Sequence, residues 1–161
     1  MTTFGRRNGA RAGSVAVEFA LIGPSFLGLV LVVLQLGFLL FAQTALDYAA
    51  KQAARQLQTG VARTDSASET GFRSLVFCPV LSVALDCSRV VISVEPVSDY
   101  RAQATRTPPM LNGQINPAAL GYDAGQSGNL MLLRAYYTPG IPTWPLNVTT
   151  LIGTAAFRNE F

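Results

Sequence analysis

The sequence lacks histidine, contains only two cysteines and carries little charge for its length. Of its 161 residues 13% are charged, against roughly 25% in an ordinary soluble domain. Histidine is the commonest general base and a frequent metal ligand, so a metal site here would have to use scattered carboxylates. We therefore expect no catalytic residue, no metal ion and no cofactor.

The positive charge in excess is confined to the N-terminus. The formal net charge is +3, and Arg6, Arg7 and Arg11 account for it, because the other side chains hold nine basic and nine acidic groups. Nucleic-acid binding needs several cations clustered on one surface. The charge distribution therefore argues against a nucleic-acid partner.

A long uncharged run follows these arginines. Between Glu18 and Asp47 there are 28 consecutive residues without a charged side chain or a histidine. Its mostly apolar part, residues 19–41, is long enough to cross a bilayer core of about 30 Å. Pro24 lies in its first turns, where it removes one helical hydrogen bond. The run predicts one helix that spans a lipid bilayer, whereas the buried helix of a soluble protein would be shorter and would carry a polar stripe.

The arginines also predict the orientation of this span. Basic residues remain on the cytoplasmic side, so the N-terminus is expected in the cytoplasm and the chain after about residue 42 outside. A cleaved secretory signal peptide is the alternative. The uncharged run is longer than the apolar core of a signal peptide, and the Ala-rich stretch that follows it favours a helix.

A more specific pattern stands directly before the span. A basic leader is followed by Gly13, by four further residues, and then by Glu18 and Phe19. This pattern resembles the processing site of type IV prepilins. The resemblance implies that a prepilin peptidase cuts between Gly13 and Ser14. It also implies that Glu18, followed by Phe19, serves assembly by neutralising the new terminal ammonium of a neighbouring subunit. The alternative for Glu18 is an ordinary interfacial carboxylate.

Further residues are similar to the TadE-like group of the Tad (Flp-type) pilus. They are the tetrapeptide VEFA at 17–20, Pro24, the Ala-rich segment 42–58 and the ending TAAFRNEF at 154–161. The likeness implies a minor pilin, or pseudopilin, of the bacterial inner membrane that supports fibre initiation, capping or adhesion. Its implied partners are the prepilin peptidase, other minor pilins such as TadF-like proteins, the major Flp pilin and the inner-membrane assembly platform. The chain is far longer than the major pilin, which is little more than the hydrophobic helix.

The expected organisation has four parts. Within 42–58 apolar residues recur every three or four positions, which predicts an amphipathic helix that ends near Gly60. The parts are a basic leader at 1–13, a membrane helix at 14–41, the amphipathic extension at 42–60 and an exported domain at 61–161.

The exported domain is predicted to be α+β. A capping-box spacing at Ser66 and Glu69 predicts a short helix that ends before Pro79. Strands are expected at 89–97, 130–138 and about 150–158, with a long irregular loop at about 102–129. We expect a small antiparallel sheet packed on the C-terminal part of the long helix.

The two cysteines, Cys78 and Cys87, lie on the exported side in this topology. A disulfide is expected in an oxidising compartment. Two buried free thiols are the alternative.

A second function is compatible with the same sequence. The chain could be a single-pass membrane anchor that is never processed and whose exported domain binds a partner. Gly13 and Glu18 would then be incidental.

Overall fold

A long helix followed by a small antiparallel sheet makes up the structure, a computed structural model. The described residues are 8–60, 68–81, 85–99, 101, 107–112, 114–140 and 148–160, with side chains from Val15 onward. Arg6, Arg7 and Ser66 lie outside them. The architecture is α+β, as predicted.

The first element, α1, runs from Asn8 to Gln58 and remains helical at Pro24. It ends close to the predicted position. Gly60 has a φ of 75°, and its N–H donates to the carbonyl of Leu57 at 3.1 Å, a left-handed ending that glycine favours. By its contacts the chain divides into two units, of which the first ends at Phe38 and the second begins at Leu39.

In the second unit, α1 presents a face of small and branched side chains. This face supplies much of the core, and its buried members are Leu39, Ala42, Leu46, Ala49, Ala50, Ala53, Ala54 and Leu57. The amphipathic helix predicted over 42–58 is confirmed, although Ala45 on its apolar face is half-buried. Because most of these side chains stop at Cβ, another element can approach the helix closely.

The sheet covers that face. The sheet consists of β1 (Val90–Pro96), β4 (Leu130–Tyr137) and β5 (Leu151–Arg158). A separate hairpin consists of β2 (Met110–Leu111) and β3 (Gln114–Ile115). The order β1-β4-β5 is antiparallel throughout, and β2 pairs only with β3. All three predicted strands are confirmed, and the predicted irregular loop contains the small hairpin.

Gly153 marks the closest approach of the sheet to α1. A Cβ at this position would lie 2.9 Å from Cγ of Leu46 and 3.0 Å from its carbonyl oxygen. Ile92, Ala135 and Gly153 stand side by side across the three strands, so this row faces the helix. The last strand therefore rests almost directly on the helix backbone.

A helical segment between α1 and β1 differs from the prediction. It comprises Glu69–Phe72, a π-helical turn at Arg73–Phe77, and Cys78–Leu81. Its N-cap is Ser68, whose hydroxyl accepts from the N–H of Gly71 at 3.2 Å. The prediction that the helix stops before Pro79 is wrong.

The π turn explains how proline is accommodated. The N–H of Cys78 donates to the carbonyl of Arg73, five residues back. Proline normally clashes with the carbonyl four residues earlier, and the wider turn relieves that clash.

A disulfide joins Cys78 to Cys87, with 5.7 Å between the Cα atoms. It ties the helical segment to the short 3-10 turn Cys87–Arg89 that precedes β1. Asp86 caps this turn and accepts hydrogen bonds from the hydroxyl of Ser88 at 2.7 Å and from its N–H at 3.0 Å. Both bonds hold the pKa of the Asp86 carboxyl below its ordinary value, and the bond from the hydroxyl has the larger effect.

Candidate assembly site at the helix N-terminus

The predicted cleavage bond lies within α1 rather than before it. The helix begins at Asn8, so the Gly13–Ser14 bond is part of a helical backbone that also includes Arg11. Ser14 and Glu18 are four residues apart, about one turn, or roughly 6 Å along the axis. The structure thus places the expected new N-terminus and the acid one turn apart on a single helix.

Glu18 and Phe19 both face outward from this helix. Glu18 is exposed and the Phe19 side chain is 76% exposed. The ring of Phe19 lies over Gly23, since a Cβ there would be 3.6 Å from ring carbon Cε1 of Phe19. Glu18 is the first acidic residue of the sequence and the next is Asp47. Glu18 therefore lies directly before the uncharged part of the helix.

The helix on both sides of Glu18 exposes many large apolar side chains. Large side chains more than half exposed include Val17, Leu21, Ile22, Phe26, Leu27, Leu29, Leu31, Val33, Leu34, Leu40 and Phe41. Soluble monomers rarely expose a patch of this extent. Among the described residues, one helix is long and apolar enough to cross a membrane, over Val15–Gln58. This segment is a candidate membrane span, consistent with membrane anchoring.

The ending that contributed to the family resemblance holds the sheet to its surroundings. Phe157 is buried, and the guanidinium Nε of Arg158 donates to the carbonyl of Gly128 at 2.9 Å. Glu160 meets the end of α1 twice. Its carboxylate accepts from Nε2 of Gln58 at 2.6 Å, and its N–H donates to the carbonyl of Gln58 at 3.2 Å.

Asn159 is the centre of this ending. It is 2% exposed, and its Nδ2 donates to the carbonyls of Ala124 at 2.8 Å and Gln126 at 3.2 Å. The loop it holds depends on Gly125, which has a φ of +70° and whose added Cβ would run into Sδ of Met131. Residues 157–160 are therefore a structural clamp.

Replacing Asn159 with alanine is expected to destabilise the sheet domain by about 1–3 kcal/mol, because two hydrogen bonds, each contributing about 0.5–1.5 kcal/mol, are lost. Urea unfolding of the full chain in a nonionic detergent, followed by near-ultraviolet circular dichroism, measures this. Gln126→Ala is the matched control, since it alters an exposed side chain and keeps the carbonyl that Asn159 binds. Equal midpoints for both variants would contradict the clamp.

The sequence predicts functional roles for Gly13, Ser14, Glu18 and Phe19, and these stay predictions. It predicts no role for Asn159 or Gly153. An asparagine directly after an apolar strand was the available signal for the first. Within the described ranges, no group of three or more His, Cys, Asp or Glu residues could hold a metal ion.

Comparison with known proteins gives one family match, which lies within α1. Residues 13–55 match the family model described as TadE-like protein. No curated protein and no solved structure matches the chain with significance. The match begins at the glycine before the predicted cut and ends within α1. The family is structural rather than enzymatic and is associated with the Tad pilus. Over residues 13–55, this chain is thus similar to the TadE-like family.

Proposed function

We propose that this protein is a minor pilin, or pseudopilin, of a Tad (Flp-type) pilus, trimmed by a prepilin peptidase between Gly13 and Ser14. The observation that carries the proposal is the order of features in α1. A family match that begins at Gly13 is followed by an exposed acid and then by an exposed apolar surface. Membrane insertion needs only the last of these, whereas processing and assembly need all three.

Processing takes place at the cytoplasmic face in this proposal. The leader arginines hold residues 1–13 at the anionic inner leaflet, each contributing about 1 kcal/mol, and the domain after the span lies outside. Because the Gly13–Ser14 bond is helical, the peptidase must first unwind the beginning of α1. Glycine lowers the cost of that unwinding by about 1 kcal/mol relative to alanine.

Cleavage creates a terminal ammonium on Ser14 beside an apolar helix. When such helices pack into a fibre, this charge enters a medium of low dielectric constant and needs an anion. Glu18 of a neighbouring subunit supplies it, and the pairing fixes the axial position of one helix against the next. The neighbours are other minor pilins and the major Flp pilin, delivered at the inner-membrane assembly platform.

The role that we propose for this subunit within the pilus depends on its sheet domain. A subunit that carries such a domain supports initiation, capping or adhesion of the fibre. The domain is held to α1 by the Gly153 contact and by the clamp at residues 157–160, so it would travel with its helix into the fibre.

The test is the intact mass and N-terminal sequence of the protein from native membranes, with and without the prepilin peptidase of the same system. We expect a peptidase-dependent mature chain that starts at Ser14. A chain that keeps its leader arginines under both conditions would contradict the proposal and favour an unprocessed membrane-anchored binding protein.

A further inference from the structure

The two outer edges of the sheet, those of β1 and β5, differ in how many of their backbone groups are hydrogen-bonded to the rest of the chain. The outer edge of β1 is covered. The N–H of Val94 donates to the carbonyl of Gly121 at 3.0 Å, and its carbonyl accepts from the N–H of Asp123 at 2.8 Å. Nearer the start of β1, the guanidinium of Arg73 donates to the carbonyl of Val90 at 3.2 Å. This edge has few free backbone groups.

The outer edge of β5 is bonded to α1 near its start and again just past its end, where the N–H of Glu160 donates to the carbonyl of Gln58 at 3.2 Å. Successive residues of an edge strand point their backbone groups alternately inward and outward. The carbonyl of Ile152 points outward, because it accepts from Nε2 of Gln43 on α1 at 2.9 Å. By the same alternation Thr154 and Ala156 point outward. Both are exposed, and their outward N–H and carbonyl groups bond to no other described residue.

A groove runs beside these open groups. It has a volume of about 390 Å³ and lies between β5 and the last turns of α1. Its lining residues are Lys51, Ala54, Arg55, Gln58, Thr154, Ala155, Ala156 and Phe157. The charged side chains among them are Lys51 and Arg55, both exposed and one helical turn apart. Neither forms an ion pair with another described residue, so the wall of the groove is cationic.

We propose that the outer edge of β5 binds an extended, acidic segment of another exported protein, which adds a strand to the sheet. The incoming backbone pairs with Thr154 and Ala156, and its acidic side chains meet Lys51 and Arg55. An exposed edge strand is a template for such pairing. This surface is separate from the processing segment and goes beyond the proposed function.

The charge pattern argues against a second copy of this chain as the occupant. Antiparallel pairing of two β5 edges would place both copies of α1 on the same face of the joined sheet. The cations of the two helices would then converge on one groove whose lining residues include no acid. Like charges at close range oppose association, whereas an acidic partner satisfies the same groups.

Site-specific photo-crosslinking in the native host tests the proposal. The full chain carries p-benzoylphenylalanine at Thr154, and the matched control carries it at Leu75, a 59% exposed residue on the helical segment. From the Thr154 position we expect one discrete adduct with a different protein. The crosslinked peptide of that protein should contain acidic residues in an extended segment. The Leu75 position should not give this adduct.

Two variants then test whether the crosslinked adduct depends on strand pairing and charge, or only on the partner lying near Thr154. Ala156→Pro removes an outward N–H, a change that an edge strand tolerates. Lys51→Glu combined with Arg55→Glu reverses the charge of the groove wall without altering β5. We expect each variant to lower the adduct yield about tenfold. Reversing the acidic residues of the partner segment should restore the yield in the double charge variant.

Three outcomes would overturn the proposal. They are an adduct with the mass of two copies of this chain, no adduct at all, and an adduct unaffected by both variants. Processing can be scored in the same samples by N-terminal sequencing, so failure of this proposal is distinguishable from failure of the proposed function.

Discussion

Replacing Gly13 with leucine is expected to leave residues 1–13 on the protein and to abolish its incorporation into a pilus. A peptidase cleft that accepts glycine has no space for a branched side chain, and leucine also strengthens the helix that must unwind. Misplacing a scissile bond by about 1 Å can cost roughly 100-fold in rate. Intact mass and immunoblots of sheared fibres measure the two effects.

Glu18→Gln is the matched variant for this experiment. It keeps the shape of the side chain and removes its charge, so we expect normal trimming at Ser14 together with lost incorporation. The pair of variants separates processing from assembly. If the Gly13→Leu chain is trimmed at the same bond, or if piliation survives in both variants, the prepilin interpretation is wrong and Glu18 is an interfacial residue.

Replacing Gly153 with valine is expected to destabilise the sheet domain by about 3 kcal/mol, the upper end of the usual cost of overpacking. The first added carbon already lies 3.0 Å from the carbonyl oxygen of Leu46. A backbone atom of a helix cannot rotate away as a side chain would. The sheet must instead lift from α1, which weakens the neighbouring contacts as well.

Thr154→Val provides the control. It places the same valine side chain one residue later, in exchange for a threonine at an exposed position, where a surface change usually costs no more than about 0.5 kcal/mol. Urea unfolding of both full-length variants in a nonionic detergent measures the difference. Equal stabilities would mean that the domain does not depend on the close approach of β5 to α1.

Much of the fold was predictable because its signals are local. The strands β1 and β4 are rich in β-branched, leucine and aromatic residues, and the end of α1 is marked by Gly60. The helix past Pro79 was not predictable, because the π turn that accommodates proline depends on how the surrounding segment packs. The role of Gly153 depends on Leu46, more than a hundred positions earlier in the sequence. No local pattern reports such a contact.

The proposed functional features likewise include some that a local sequence pattern indicates and some that depend on the folded structure. The spacing of Gly13 and Glu18 can be read directly from the sequence, and the family match begins at the first of them. The open edge of β5 is a consequence of strand order and of which residues happen to cover β1. Neither follows from composition or periodicity.

The bond between Glu160 and Gln58 has a consequence for biogenesis. It joins positions 102 residues apart, and the central strand β4 needs β5 on one side. The domain therefore cannot complete its fold while residues 151–160 are still inside the ribosome. During synthesis α1 emerges long before its covering sheet, and its alanine-rich face is left without the strand that later shields it. Folding of this domain therefore waits until residues 151–160 have left the ribosome.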